Sequence, residues 1–444
     1  MVEKSEIDPP TRAAGIAGSE GTTPRQVRPS FRQVGPGLVL AATCVGVGDM
    51  VTAIVAAEKT QHALVWVFIA AVIIKYYVTI AIGRWTLATG KTIVQGFRAI
   101  SVFAIVLVAI YAVIWGLMFG AAGPSVVGLP ATAIFPVFDA SVWAIIHGIA
   151  AFIIVLVGRY RVIEQVMKVC VGLMFVGMVG AALLVRPDFG SIAAGIVPTF
   201  PDGSVFYVIG IIGGVGGTLT LTAYGYWVRE KGWSGREFLP MMKLDSVIGY
   251  VATAIFTISV LVIGATFLYG SGRTVDSAEG LLAMADPLRD SYGQLAYWLF
   301  LVGFWAISFS SVLGVWSGVS YLFADIIRNI ANKGREYALD EGGEDAAVPL
   351  RKTKSYRFYL ILLTFPSIPV MLLGSPVFLV LAWVTLGALF MPFLTAALLY
   401  LLNAKKFGAR QPGESPLSMV NIVLAFSFVL FVVLMTSELL NTFS

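Results

Sequence analysis

The chain has 444 residues, of which 58% are hydrophobic and 12% charged, with a mean hydropathy of +0.87. A water-soluble domain is nearer half apolar and a quarter charged, so one soluble core cannot bury this excess. Soluble enzyme, secreted disulfide scaffold and nucleic-acid binder are excluded on that ground. The formal charge of +5 fits loops facing anionic lipid better than a polyanionic partner.

Residues 1–33 come first. They are polar, mixed in charge and without the apolar core of a signal peptide, and are expected to form a disordered cytosolic tail. Eleven apolar stretches follow, at about 35–57, 62–83, 100–122, 140–157, 163–185, 205–228, 244–268, 292–322, 356–373, 376–402 and 417–439. Each has about the length needed to cross a hydrocarbon core of about 30 Å at about 1.5 Å per residue. The eighth is longer than a bilayer requires and is expected to project beyond it. The longest polar segments, 269–291 and 323–357, read as linkers too short to fold as domains, with Asp340–Asp345 a solvated acidic run. Cys44 and Cys170 fall inside apolar runs, form no metal motif and are expected to act as small hydrophobes.

Lysine and arginine orient the chain. With the N-terminus inside, the segments 1–33, 84–99, 158–168, 229–243, 323–357 and 403–416 hold 25 of the 30 basic residues. The opposite side holds Lys59, Arg186, Arg273 and Arg289, and Lys75 lies within a span. Such a bias predicts a cytoplasmic N-terminus and an external C-terminus, in a plasma-membrane protein.

Glycine interrupts two spans. The first carries Gly46-Val47-Gly48 directly before Asp49, and the sixth carries Gly213-Gly214-Val215-Gly216-Gly217 before Thr218, Thr220 and Thr222. Each glycine costs roughly 1 kcal/mol against alanine in a helix interior, so both segments are predicted to unwind. Spans one to five and six to ten form two sets, each opening on its broken helix. An odd number of spans per set inverts the second copy, the pattern of inverted-repeat secondary transporters. The expected architecture is thus an all-α polytopic membrane protein of eleven transmembrane helices. A LeuT-like 5+5 inverted repeat occupies 34–185 and 186–402, and 403–444 adds the eleventh helix.

Charge inside a bilayer is expensive and marks function. Asp49, beside the carbonyls freed at the first break, suits a cation or a protonated amine; it also suits the cap of a second half-helix. Lys75 is read as offsetting Asp49, as a coupling charge, or as snorkelling to the cytoplasmic face. His147 is read as a proton relay or as a hydrogen-bonded core histidine. Asp245 and Asp325 are expected near cytoplasmic span ends as interfacial or gating residues, and Glu58 solvated at the external end of span one. Thr218, Thr220 and Thr222 would share a face only in an extended segment. Tyr226 and Trp227 are expected in an interfacial belt. No nucleotide-binding or hydrolase motif is present, so no cofactor is expected and transport would run on an ion gradient or downhill.

The run Gly35-Pro36-Gly37, Gly48-Asp49, Thr52 and Leu87-Ala88-Thr89-Gly90-Lys91 resembles the opening of the natural resistance-associated macrophage protein (Nramp) family of divalent-metal transporters. The resemblance implies a LeuT-like fold, proton-linked metal uptake, and metal held at the unwound parts of spans one and six. The family's Asp-Pro-Gly-Asn motif falls on Gly46, Val47, Gly48 and Asp49, and its Met-Pro-His on about Gly217, Thr218 and Leu219. The soft thioether and the histidine are therefore replaced, which points to a hard, all-oxygen site for magnesium, manganese or calcium. Asp49 is the expected principal metal ligand. Val45, Gly46, Gly48, Gly214, Gly217, Thr218 and Thr220 are expected to complete the shell, and Lys75 and His147 to couple proton or charge. The competing expectations are an ion-coupled symporter of an amino acid or amine on the same fold, and a membrane sensor without transport.

Overall fold

The computed structural model describes residues 28–30, 34–158, 160–275, 278–332, 350–410 and 415–443. Most of the predicted N-terminal tail and the acidic run at 340–345 lie outside the described residues. The described residues contain helices and no strand.

The first predicted span is two helices, α1 (Pro36–Cys44) and α2 (Val47–Thr60). There follow α3 (Val65–Thr89), a short α4 (Ile93–Ile100), α5 (Val102–Ile134) and α6 (Ala140–Val157). The fifth span comprises α7 (Tyr160–Met174), a π-helical turn at Phe175–Val179 and α8 (Gly180–Leu184); α9 (Phe189–Ala194) lies in the loop beyond it. The sixth span is α10 (Val205–Gly214), a 3-10 turn at Leu219–Ala223 and α11 (Tyr224–Glu230). The remainder are α12 (Leu239–Phe267), α13 (Ala278–Leu282), α14 (Ala285–Ala331), α15 (Lys354–Thr364), α16 (Ser367–Leu373), α17 (Pro376–Asn403) and α18 (Met419–Phe443).

Ten helical segments among the described residues are long and apolar enough to cross a bilayer. The broken pair α1 and α2 is the stretch that the sequence assigns to the first span, and neither half alone has that length. One boundary differs from expectation and one long span agrees with it. The third span runs on to Ile134 through Pro124 and Pro130, where the sequence suggests an end near 122. The eighth does overrun a bilayer, and Gly293, at φ 81°, breaks its continuation.

The outer surface is apolar, as lipid demands. Phe103, Ile110 and Ile114 on α5, Ile153 on α6, Val169 on α7 and Phe426, Val429 and Val433 on α18 are all exposed. Large side chains would stay exposed to water here, so their solvent is hydrocarbon, and the protein is an integral membrane protein. Between helices the drive is close packing rather than apolar burial. The α1 helix sits at the centre, packed on α12, α14 and α7, while α10 packs on α17 and α2. That approach depends on absent side chains: a Cβ on Gly37 would strike the Asp245 backbone, and one on Gly314 would strike Thr43.

Candidate functional site

The first span unwinds over two residues. The α1 helix ends at Cys44, Val45 turns out of helical geometry at ψ 88°, and Gly46 is extended at φ −145° before α2 begins. A side chain at 46 is excluded because Ser311 of α14 fills that space. The Ser311 hydroxyl donates to the freed Thr43 carbonyl at 3.2 Å. Asp49, third residue of α2, accepts from the Gly46 amide at 3.0 Å and so closes the new N-terminus.

The sixth span unwinds where its glycines cluster. The α10 helix ends at Gly214, Val215 takes ψ 127°, and Gly216 and Gly217 adopt φ of 71° and 76°. That left-handed region is open to glycine and costly for other residues, which accounts for both glycines. The chain resumes as a 3-10 turn, not as an extended strand, so Thr218, Thr220 and Thr222 do not form one hydroxyl face. Thr222 instead donates to its own Leu219 carbonyl at 2.5 Å.

The two breaks meet. The second oxygen of Asp49 accepts from the Gly216 amide at 3.2 Å, so one carboxylate serves both unwound segments. The carbonyls of the same glycine segment face Lys75 of α3, whose ammonium donates to Gly213 at 3.3 Å and closely to Gly217. Lys75 does not snorkel; it is 0% exposed, and Asp49 is 1% exposed. The Gly213–Gly217 stretch, which runs from the last turn of α10 into the break, thus gives an amide to the acid and carbonyls to the base. The centre holds one acid and one amine, both buried.

The other expected site residues are distributed around this centre. Val45 is buried at the first break. Gly48 lies against Trp383 and Gly214 against Val384, both of α17. Thr218 backs onto Gly387 of the same helix, and the Thr220 hydroxyl lies 3.6 Å from the Cys44 sulfur. His147 is engaged elsewhere: Nδ1 lies 2.7 Å from the Trp143 carbonyl, and Nε2 accepts from Trp305 at 3.0 Å. A neutral Nδ1–H tautomer satisfies both contacts, which are those of a packed core histidine.

Several peripheral expectations are corrected. Asp245 is buried rather than interfacial, and it accepts from the Gly35 and Gly37 amides at 3.0 and 2.5 Å and from Tyr224 at 3.0 Å. It therefore caps α1 from α12, serving amides that no earlier residue of α1 can reach. Tyr226 and Trp227 are buried in protein, not in an interfacial belt, and Tyr226 donates to Asp325 at 2.6 Å. Glu58 is not solvated: it pairs with Lys59 at 2.8 Å and accepts from the Val275 amide at 3.3 Å.

Cys44 is the residue that the sequence reading passed over. Its sulfur lies 2.7 Å from the point where a Cβ on Gly217 would stand, so it occupies side-chain space at the second break. A thiol therefore borders the centre beside the Thr220 hydroxyl. The available signal was position, since Cys44 directly precedes Val45 and Gly46. Among the described residues no three histidine, cysteine, aspartate or glutamate side chains cluster as a metal site. A cation here would depend on Asp49, backbone carbonyls, hydroxyls and this sulfur.

A helical membrane protein whose first and sixth spans break around one shared buried centre is, in class, a transporter of LeuT-like fold. The sequence model of the family described as "Natural resistance-associated macrophage protein-like" matches residues 37–440, and the chain belongs to that family of membrane transporters rather than to an enzyme family. The chain is similar in structure to the manganese transporter of Eremococcus coleocola, in a point mutant at TM-score 0.69 and 15% identity, covering 90% of this chain and 85% of that one. A complex of that transporter with an aromatic bis-isothiourea compound gives TM-score 0.70 at 14% identity, over 94% and 89% of the two chains. MhsT with L-phenylalanine gives 0.54 at 16% identity, over 90% and 98%. In sequence, the "Uncharacterized membrane protein YcsG" of Bacillus subtilis (strain 168) is 25% identical over 217 residues, 48% of this chain and about half (52%) of that protein.

Proposed function

We propose that the protein is a secondary transporter that moves a divalent cation of the magnesium or manganese type, linked to protons, through the centre at Asp49. The observation that carries this reading is the Asp49 carboxylate bridging the two breaks. A group bonded to both half-helix junctions feels any movement of one against the other, as alternating access requires. Family membership and the manganese transport of a structural relative support a cation as cargo. The basic-residue bias supports a cytoplasmic N-terminus and an external C-terminus, and the reading places the protein in the plasma membrane.

A second reading is favoured by Lys75. With Asp49 and Lys75 both in the centre, the site has no formal excess charge, which suits a zwitterionic solute such as an amino acid. MhsT, of the same fold, was solved with L-phenylalanine.

The test is uptake into proteoliposomes by wild type and Asp49→Ala, screening magnesium, manganese and calcium at two external pH values. Saturable uptake of one ion, lost in the variant, is the expected result, and a pH-dependent rate would supply the proton link. Folded protein silent toward all three ions, with saturable amino-acid uptake, would establish the second reading instead.

A further inference from the structure

We infer that Lys75 is a tethered cation: its ammonium fills a cation-binding position at the second break, and a free cation can use that position only when Lys75 leaves it. The inference rests on reading the Asp49 centre as a cation path, and it adds a resident competitor to that path.

The geometry is that of cation coordination by backbone. Gly214 closes α10, and its own carbonyl accepts from the Gly217 amide at 3.1 Å while the Gly216 amide goes to Asp49, which leaves the Gly213 carbonyl without an amide of a following turn. The last turn of α10 carries the negative end of the helix dipole, which favours a cation. Lys75 answers this from a different helix, with Nζ on the carbonyl of Gly213 in the last turn of α10 and on that of Gly217 in the unwound chain beyond it. Oxygen-lined sites of this type take a metal ion or an ammonium by the same attraction.

The lysine stem is held as firmly as the head. A Cβ on Gly216 would lie 3.2 Å from Lys75 Cβ and Cγ, so the stem packs directly on the left-handed backbone. The far wall is Tyr250, whose hydroxyl bonds Thr79, one turn along α3 from Lys75, at 2.7 Å. Asp49 supplies the balancing negative charge through the Gly216 amide, within the same five-residue segment. The tether has a consequence for selectivity. A transported cation that takes both the carboxylate and these carbonyls must displace an ammonium already in place. Weakly held monovalent ions are then excluded, and the centre never stands with an unbalanced carboxylate while empty.

The test uses purified Lys75→Ala and measures melting temperature and manganese binding. Removal of the side chain is expected to lower the melting temperature. Manganese or n-butylammonium should restore it saturably, whereas tetramethylammonium at equal ionic strength should not. Manganese should bind Lys75→Ala at least ten-fold tighter than wild type, and the double variant Lys75→Ala with Asp49→Asn should lose that gain. Equal stabilisation by all three salts, or unchanged manganese affinity, would overturn the inference. Should Lys75→Ala fail to fold, Lys75→Met, which keeps most of the volume without the charge, carries the same manganese comparison. Saturable wild-type uptake without a gain in Lys75→Ala sinks the tether alone. Loss of both uptake and cation binding sinks the transport reading with it.

Discussion

Asp49 and Gly216 lie 167 positions apart and are joined by a 3.2 Å hydrogen bond from amide to carboxylate. With the 3.0 Å bond from Gly46, it makes one side chain the fastener between two interrupted helices. Each half-helix junction exposes backbone that lipid cannot satisfy, and bringing the junctions together lets one acid serve both.

Replacing Asp49 by alanine should therefore affect stability as well as transport. Two buried amides would lose their acceptor, at about 1–3 kcal/mol each. The expected outcome is loss of cation uptake together with a lower melting temperature in detergent. Undiminished uptake would remove Asp49 from the mechanism.

Gly217 should be intolerant of substitution. An alanine there would need a left-handed backbone while its Cβ met Thr220 and lay 2.7 Å from the Cys44 sulfur. We expect destabilisation of about 1–3 kcal/mol. Methionine at 217 would be worse, so introducing the family's thioether at this position should cost the fold before it alters metal preference. Gly210→Ala is the control, since it lies inside α10 and its Cβ would find its nearest neighbours at 3.9 and 4.0 Å. Equal melting temperatures for the two alanine variants would contradict the assigned backbone.

Asp245 ties the start of α1 to α12, and the variants should separate its contacts. Tyr224→Phe removes one of the three bonds to Asp245, together with the bond that Tyr224 accepts from the Ser246 hydroxyl at 3.2 Å, and should cost about 1–2 kcal/mol. Asp245→Ala strips the cap from the Gly35 and Gly37 amides and should cost more and speed hydrogen exchange in residues 36–44. Unaltered exchange there would show that α1 is held by packing alone.

Cys44 should report the opening of the centre. Its thiol is buried and beside the Thr220 hydroxyl. In a Cys170→Ser background, a membrane-permeant maleimide should label Cys44 slowly, and saturating transported cation should slow it further. Rapid labelling indifferent to cation would place the sulfur outside the transport path.

The sequence by itself determined the class of architecture, because those signals are local. Runs such as Val102–Ala122 can only be satisfied in lipid, and glycine at 213, 214, 216 and 217 cannot sustain a regular helix. It also marked Asp49, since a carboxylate in an apolar span needs a reason. It did not reveal the fate of Lys75, for which offsetting Asp49 and reaching the membrane surface looked equally open. That choice was made by α10, which ends its carbonyls beside α3. Asp245 and Cys44 were misjudged for the same cause. Their partners are the Gly35 and Gly37 amides and the space at Gly217, which come from remote parts of the chain, and no local pattern encodes which helix end will be their neighbour.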